Sequence, residues 1–168
     1  RNGDKGWGGC TYCNNQTFNP AYCKTERTVT EQLEEGKRFF ARKYPDMKYL
    51  AYFQAYTNTY GDVKTVIGKY EEALAVNDVV GIVIGTRPDC MPNELLEYLK
   101  ELNRRTFLMV EYGIESVNDA TLARINRGHT YAETIDAVER TAKAGIRTGG
   151  HVILGLPGEE HDELMRQA

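Results

Sequence analysis

Apolar side chains recur along this chain in two alternating periods, and the alternation begins only after residue 27. Residues 1–27 are rich in Gly, Asn, Thr and Tyr with neither a helical nor a strand period, and read as one long loop. Beyond them Val29, Leu33, Phe40 and Tyr44 fall at helical spacing, Thr28 and Glu31 are spaced as a capping box, and Pro45 closes the segment. The spacing predicts a helix over residues 29–44. Residues 48–54 suit a short buried strand, followed by a polar turn at residues 55–61. Asp62 then caps a second helix, whose Val63, Val66, Ile67, Tyr70 and Leu74 share one face.

The same strand-then-helix unit returns. Val79-Val-Gly-Ile-Val-Ile-Gly85 is a near-continuous apolar strand; after Thr86-Arg-Pro-Asp89 and Pro92, a helix carries Leu95, Leu96, Leu99 and Leu102. Residues 106–112 are a third strand, residues 113–116 a turn and residues 119–125 a short helix. Thr130 and Glu133 cap a longer helix bearing Ile135, Val138 and Ala142, which Gly145 ends. Residues 146–154 are the fourth strand, and Gly155-Leu-Pro-Gly-Glu159 breaks it. Strand and helix alternating roughly every 30 residues mark right-handed βαβ units on a parallel sheet. A curled half-barrel and an open doubly wound sheet both satisfy this pattern, and in both the loops after the strand C-termini build the site. Those loops are residues 54–60, 86–89, 113–116 and 155–159.

Length and charge narrow the function classes. The 168 residues fit one domain, and 41% hydrophobic content suffices for a continuous core. Twenty-one Lys and Arg against 24 Asp and Glu give a net charge of −3, so nothing draws the chain generally to nucleic acid or an anionic membrane. No apolar run reaches the roughly 20 residues of a membrane span, and no signal-peptide layout opens the chain, which reads as cytoplasmic. The start at Arg1 and the helical pattern still running at residues 161–168 lead us to expect a fragment of a longer protein.

Three of the four cysteines, Cys10, Cys13 and Cys23, crowd into the opening loop, which favours a metal or redox site over a disulfide framework. Cys10-Thr-Tyr-Cys13 brings two thiolates to one centre, and Gly8-Gly9 lets the backbone fold tightly around it. Chemistry alone leaves three readings open: an iron–sulfur centre, a zinc staple, or a dithiol pair. The last normally sits at a helix N-terminus after a strand.

Five segments taken together resolve the choice: residues 8–14 (Gly-Gly-Cys-Thr-Tyr-Cys-Asn), 52–59 (Tyr-Phe-Gln-Ala-Tyr-Thr-Asn-Thr), 85–90 (Gly-Thr-Arg-Pro-Asp-Cys), 125–129 (Ile-Asn-Arg-Gly-His) and 151–159 (His-Val-Ile-Leu-Gly-Leu-Pro-Gly-Glu). In this order they resemble the radical S-adenosylmethionine (SAM) superfamily, and within it the YhcC-like bacterial Fe–S oxidoreductases. The resemblance implies an α/β fold, a partial (β/α)6 barrel holding strands two to five, with residues 1–27 as a truncated cluster loop and residues 28–168 as barrel core. It implies a 4Fe-4S cluster on three cysteines, with SAM on the open iron. An electron passed to the sulfonium would yield a 5′-deoxyadenosyl radical that abstracts hydrogen from a substrate the sequence does not name. An external one-electron donor such as flavodoxin or ferredoxin is implied as partner.

Cys10 and Cys13 match two of the family's cluster ligands. Its first cysteine lies a dozen or so residues before them, so this chain alone is expected to be inactive. Cys23 stands outside the ligand spacing and Cys90 reads as a packed thiol. Tyr12 matches the family's cluster-packing aromatic. Gln54, Thr57 and Asn58 stand where relatives carry a Gly-Gly-Glu-like segment that binds the methionyl amine of SAM. Glu111 and Glu115 lie around a strand end, where a carboxylate can accept hydrogen bonds from a ribose or bind the SAM ammonium, and Glu115 matches the family's polar position after strand four; Thr86 and Arg87 end the preceding strand, where Arg87 could hold a carboxylate of SAM or substrate. His151 reaches the adenosyl group or is a core histidine; the segment at Gly155 packs beside adenine. Residues 126–129 read as a turn between helices. The competing functions are a non-catalytic zinc module and a SAM-independent β/α phosphate-site enzyme.

Overall fold

The computed structural model describes residues 8–14, 20–162 and 165. Its first helix, α1 (Val29–Ala41), starts on the Thr28–Glu31 capping box. It is followed by β1 (Tyr49–Phe53), α2 (Val63–Leu74), β2 (Val79–Thr86), α3 (Asn93–Leu102), β3 (Phe107–Glu115), α4 (Asp119–Arg124), α5 (Tyr131–Lys143) and β4 (Arg147–Val152). A single 3-10 turn, Pro88–Cys90, separates β2 from α3. Asp62 caps α2 by accepting from the Thr65 N–H, and a second capping box, Thr130 with Glu133, opens α5. Each such cap contributes about 1 kcal/mol, so the starts of three helices are set locally.

The four strands form one parallel sheet in the order β1-β2-β3-β4. Side chains alternate across it. Ala51, Ile82, Ile84, Leu108, Val110 and Tyr112 are buried beneath Val66 and Tyr70 of α2, the leucines of α3 and Ala137 of α5. Their neighbours of opposite parity, Tyr52, Val83, Glu111 and His151, are half-buried or exposed. Helices on one face and an open second face make this a segment of a barrel wall, with the second face as its interior. Leu122, Ile125 and Leu156 form a small separate core that pins residues 155–159 against α4. Residues 161, 162 and 165 are helical, as expected, while the rest of residues 161–168 lies outside the described residues. No described helix is long and apolar enough to cross a membrane.

Two expectations need correction. The first concerns β3, which does not stop at Tyr112: it pairs with β4 through Gly113↔His151 and, past a bulge, Glu115↔Val152. The sequence presents Gly113 as a turn residue, but its missing side chain has another use. A Cβ there would lie 2.6 Å from both Arg127 Nη2 and Glu115 Oε1, so the glycine makes room for an ion pair beside the strand. The second concerns the opening loop, where the sequence shows neither a helical nor a strand period to anchor it. Its residues 8–14 are anchored to the end of α4 by contacts described below; residues 1–7 and 15–19 lie outside the described residues. A smaller difference is that α1 ends at Ala41, before Tyr44.

Candidate functional site

The Cys10–Cys13 segment is a tight turn in which the Cys13 N–H donates to the Cys10 carbonyl at 3.1 Å. Neither cysteine is in a disulfide; Cys10 is half-buried and Cys13 exposed. Three consecutive residues after α4 hold this turn. The Thr11 N–H donates to the Ile125 carbonyl at 3.0 Å, Asn126 Nδ2 to the Gly9 carbonyl at 2.9 Å, and Arg127 Nη1 to Cys10 Sγ at 3.4 Å. Asn126 adopts φ 57°, a left-handed conformation that asparagine tolerates, and so turns the chain toward the cysteines.

Arg127 reaches in the other direction too. Its Nη2 donates to the Gly113 carbonyl at 2.7 Å and lies 3.1 Å from Glu115 Oε1, at the C-terminal end of β3. Its side chain is 9% exposed and that of Glu115 12%, so the two charges depend on each other in place of water. Burial works against the charged guanidinium, but Glu115 and the Cys10 sulfur outweigh it and raise the Arg127 pKa. Glu115 itself is at φ 69°, past the strand bulge. Burial and then the Glu115 carboxylate raise the Tyr12 phenol, and burial followed by Cys10 raises the Cys13 thiol.

Beside this cluster His129 is 4% exposed. Burial, and next the Arg127 charge, push its pKa down from 6.5 to about 4. A folded pKa below the unfolded one means that above the unfolded value the site contributes nothing to pH dependence. As pH falls from 6.5 toward 4 the unfolded chain takes up the proton first, and stability is lost. The expected loss is on the order of 3 kcal/mol. His129→Gln is expected to flatten that part of a denaturation-against-pH curve; an unchanged slope between pH 6.5 and 4 would show that His129 is not its source.

A second polar group lies on the open sheet face. Glu111 Oε2 accepts from the Tyr52 hydroxyl at 2.7 Å and lies 3.0 Å from His151 Nε2. Burial opposes ionisation of Glu111, but the hydrogen bonds from Tyr52 and His151 prevail and hold its carboxyl below the usual range. Tyr52 is correspondingly pushed up to about 12, by burial and by Glu111. Glu111 and Gly113 are two residues apart on the same face of β3, roughly 7 Å, so this group adjoins the Arg127 cluster. His151, with 59% of its side chain exposed, is a surface residue of the barrel interior and not a core histidine.

The remaining candidates are dispersed. Asn58 Nδ2 donates to the carbonyls of Phe53 and Gly85, both at 2.9 Å, tying the ends of β1 and β2 together. Thr57 is half-buried beside it, and Gln54 is exposed. Thr86 faces the helix-covered side, its hydroxyl bonded to that of buried Thr59 at 2.5 Å. Arg87 spends its fork on Asp89, at 2.9 and 2.6 Å. Gly155 lies in an exposed turn at φ 85°. Arg127, Asn126 and Tyr52 were not anticipated as site residues.

Two thiols on one turn, with a guanidinium N–H on one sulfur, form a donor set suited to sulfur that carries negative charge and is shared with a metal. Among the described residues no group of three or more His, Cys, Asp or Glu side chains comes together to hold a metal ion. Cys10 and Cys13, on one turn at the strand-end rim, are the two residues there that could hold such a centre.

The chain is 43% identical over its whole length to the uncharacterised protein YtqA of Bacillus subtilis and 36% identical over 99% of its length to the protein YhcC of Escherichia coli. It spans about half the length of these curated relatives, 52% and 53%. Among solved structures, N-terminally deleted Elp3 of archaeal Methanocaldococcus infernus superposes with a TM-score of 0.64 at 19% identity, covering 83% of this chain and 36% of that one. This last likeness concerns the fold. The family model of the radical SAM superfamily matches residues 5–166. With that match spanning both the cysteine turn and the parallel sheet, the chain belongs to the radical SAM superfamily.

Proposed function

We propose that this chain is the cluster- and SAM-binding part of a radical SAM oxidoreductase, with Cys10 and Cys13 as two of three thiolate ligands to a 4Fe-4S cluster. The supporting observation is the Cys10–Cys13 turn, held on the strand-end rim with the Arg127 guanidinium on Cys10 Sγ. The third thiolate comes from outside residues 1–168, as in the family pattern. When bound, the cluster and SAM supply electron transfer to the sulfonium and a 5′-deoxyadenosyl radical for hydrogen abstraction. The electron comes from an external one-electron donor such as flavodoxin or ferredoxin, and the protein works in the cytoplasm.

The chain's own residues bind and orient. Asn126 and the Ile125 carbonyl fix the backbone of the cysteine turn, and the Glu115–Arg127 pair braces it from β3. Glu111, kept ionised by Tyr52 and His151, presents a carboxylate to the polar groups of SAM from the barrel interior. Both of its hydrogen bonds fall on Oε2, so Oε1 can accept from a ligand. Asn58 holds β1 and β2 in register beneath the site. Glu111→Gln is expected to weaken SAM binding about 10- to 100-fold, the value of a charge-assisted hydrogen bond, while iron content stays unchanged. Equilibrium dialysis with labelled SAM measures this, and an unaltered Kd would remove Glu111 from the SAM site.

A further inference from the structure

Arg127 is the side chain in which three otherwise separate parts of the site meet. It belongs to the short link between α4 and α5, yet it contacts the end of β3 and, across 117 positions of sequence, the sulfur of Cys10. Its guanidinium offers N–H groups in a rigid planar fork, which lets one group bond a carbonyl and a carboxylate while another bonds a sulfur. Gly113 is required for this approach, since any side chain there would occupy the space of Nη2. Glu115 compensates the buried charge. The adjoining Asn126 and Ile125 contacts fix residues 9 and 11 on either side of the same cysteine, so Cys10 is held by backbone and sulfur together.

Hydrogen bonds to cluster sulfurs and nearby charge are among the factors that set iron–sulfur reduction potentials. A donor carrying positive charge favours the reduced cluster, which bears one more electron. We propose that Arg127 is a positioning residue that seats Cys10 on the barrel rim and, through its hydrogen bond to the cysteine sulfur, raises the reduction potential of the cluster bound there. The inference rests on the functional reading above. It adds to that reading an identified determinant of how readily the cluster accepts its electron.

The test uses the whole protein, reconstituted anaerobically, with the midpoint potential read by EPR-monitored titration. Arg127→Met keeps much of the length of the side chain and removes both charge and donor. It is expected to lower the ratio of reduced to oxidised cluster about tenfold at a fixed potential, about 59 mV for one electron. Arg127→Lys, which keeps the charge but loses the fork, is expected to recover part of that shift. Iron content and the far-UV spectrum verify that each variant is loaded and folded. Should Arg127→Met not fold, the lysine variant carries the test with the same sign and a smaller shift. A wild-type midpoint and EPR spectrum in whichever variant folds would overturn the proposal while leaving the cluster assignment intact. A wild-type protein that takes up no iron would sink both.

Discussion

Cys10→Ala and Cys13→Ala are each expected to remove the iron–sulfur cluster from the whole protein, with iron and sulfide falling to the level of an unreconstituted sample. A site that does not exist in the unfolded chain is assembled from ligands that folding brings together, so each thiolate contributes to affinity through its neighbours. Losing one leaves a second iron open to solvent. Residues 1–168 alone, offering two thiolates of the three, are expected to hold iron poorly for the same reason. Cys23→Ala should change little, because Cys23 lies outside the Cys10–Cys13 turn. Colorimetric iron and sulfide assays on these variants decide the matter. Loss of iron on Cys23→Ala, with retention on Cys13→Ala, would reassign the ligands.

Gly113→Ala is expected to destabilise the fold by about 2 kcal/mol, within the range of overpacking, and to diminish cluster retention as well. The added carbon would stand 2.6 Å from Arg127 Nη2 and 2.6 Å from Glu115 Oε1, both buried and charged. Neither can swing into solvent without exposing the other as an unpaired buried charge, so the strain is not relieved cheaply. Gly149→Ala is the comparison: its added carbon would meet the flexible end of Met109 at 2.8 Å, and the cost should be smaller. Urea denaturation separates the two through the midpoint at constant m value. Equal stability of Gly113→Ala and wild type would show that the ion pair is not packed against β3 as described.

The repeating strand-and-helix frame was legible because its signals are local. The apolar run of β2, the leucines of α3 and the two capping boxes are each written in fewer than a dozen consecutive residues, and all four strands overlap the segments the period gives them, β3 running on to Glu115. The cysteine turn was legible for the same reason. Arg127 was not, because a charged residue between two helices ordinarily remains in water. Its burial depends on Gly113 and Glu115, which only the parallel pairing of β3 with β4 and the placement of α4 bring near. Gly113 reads as a turn residue from sequence alone, while in the fold it leaves space for the Arg127–Glu115 pair. Tyr52 needed the register, since its closeness to Glu111 follows from two intervening strand pairings. Thr86, by contrast, could have been placed by alternation with Ile82 and Ile84, which puts it on the helix side.

On the proposed function, the cysteine turn and the interior face of the sheet serve one reaction, reductive cleavage of SAM. The most direct measurement is 5′-deoxyadenosine formation by the whole protein, anaerobically reconstituted with iron and sulfide, given SAM and a one-electron reductant. The expected result is 5′-deoxyadenosine together with methionine, in amounts that follow cluster content and vanish in Cys10→Ala. Protein that binds zinc in place of iron and leaves SAM intact under the same conditions would contradict it.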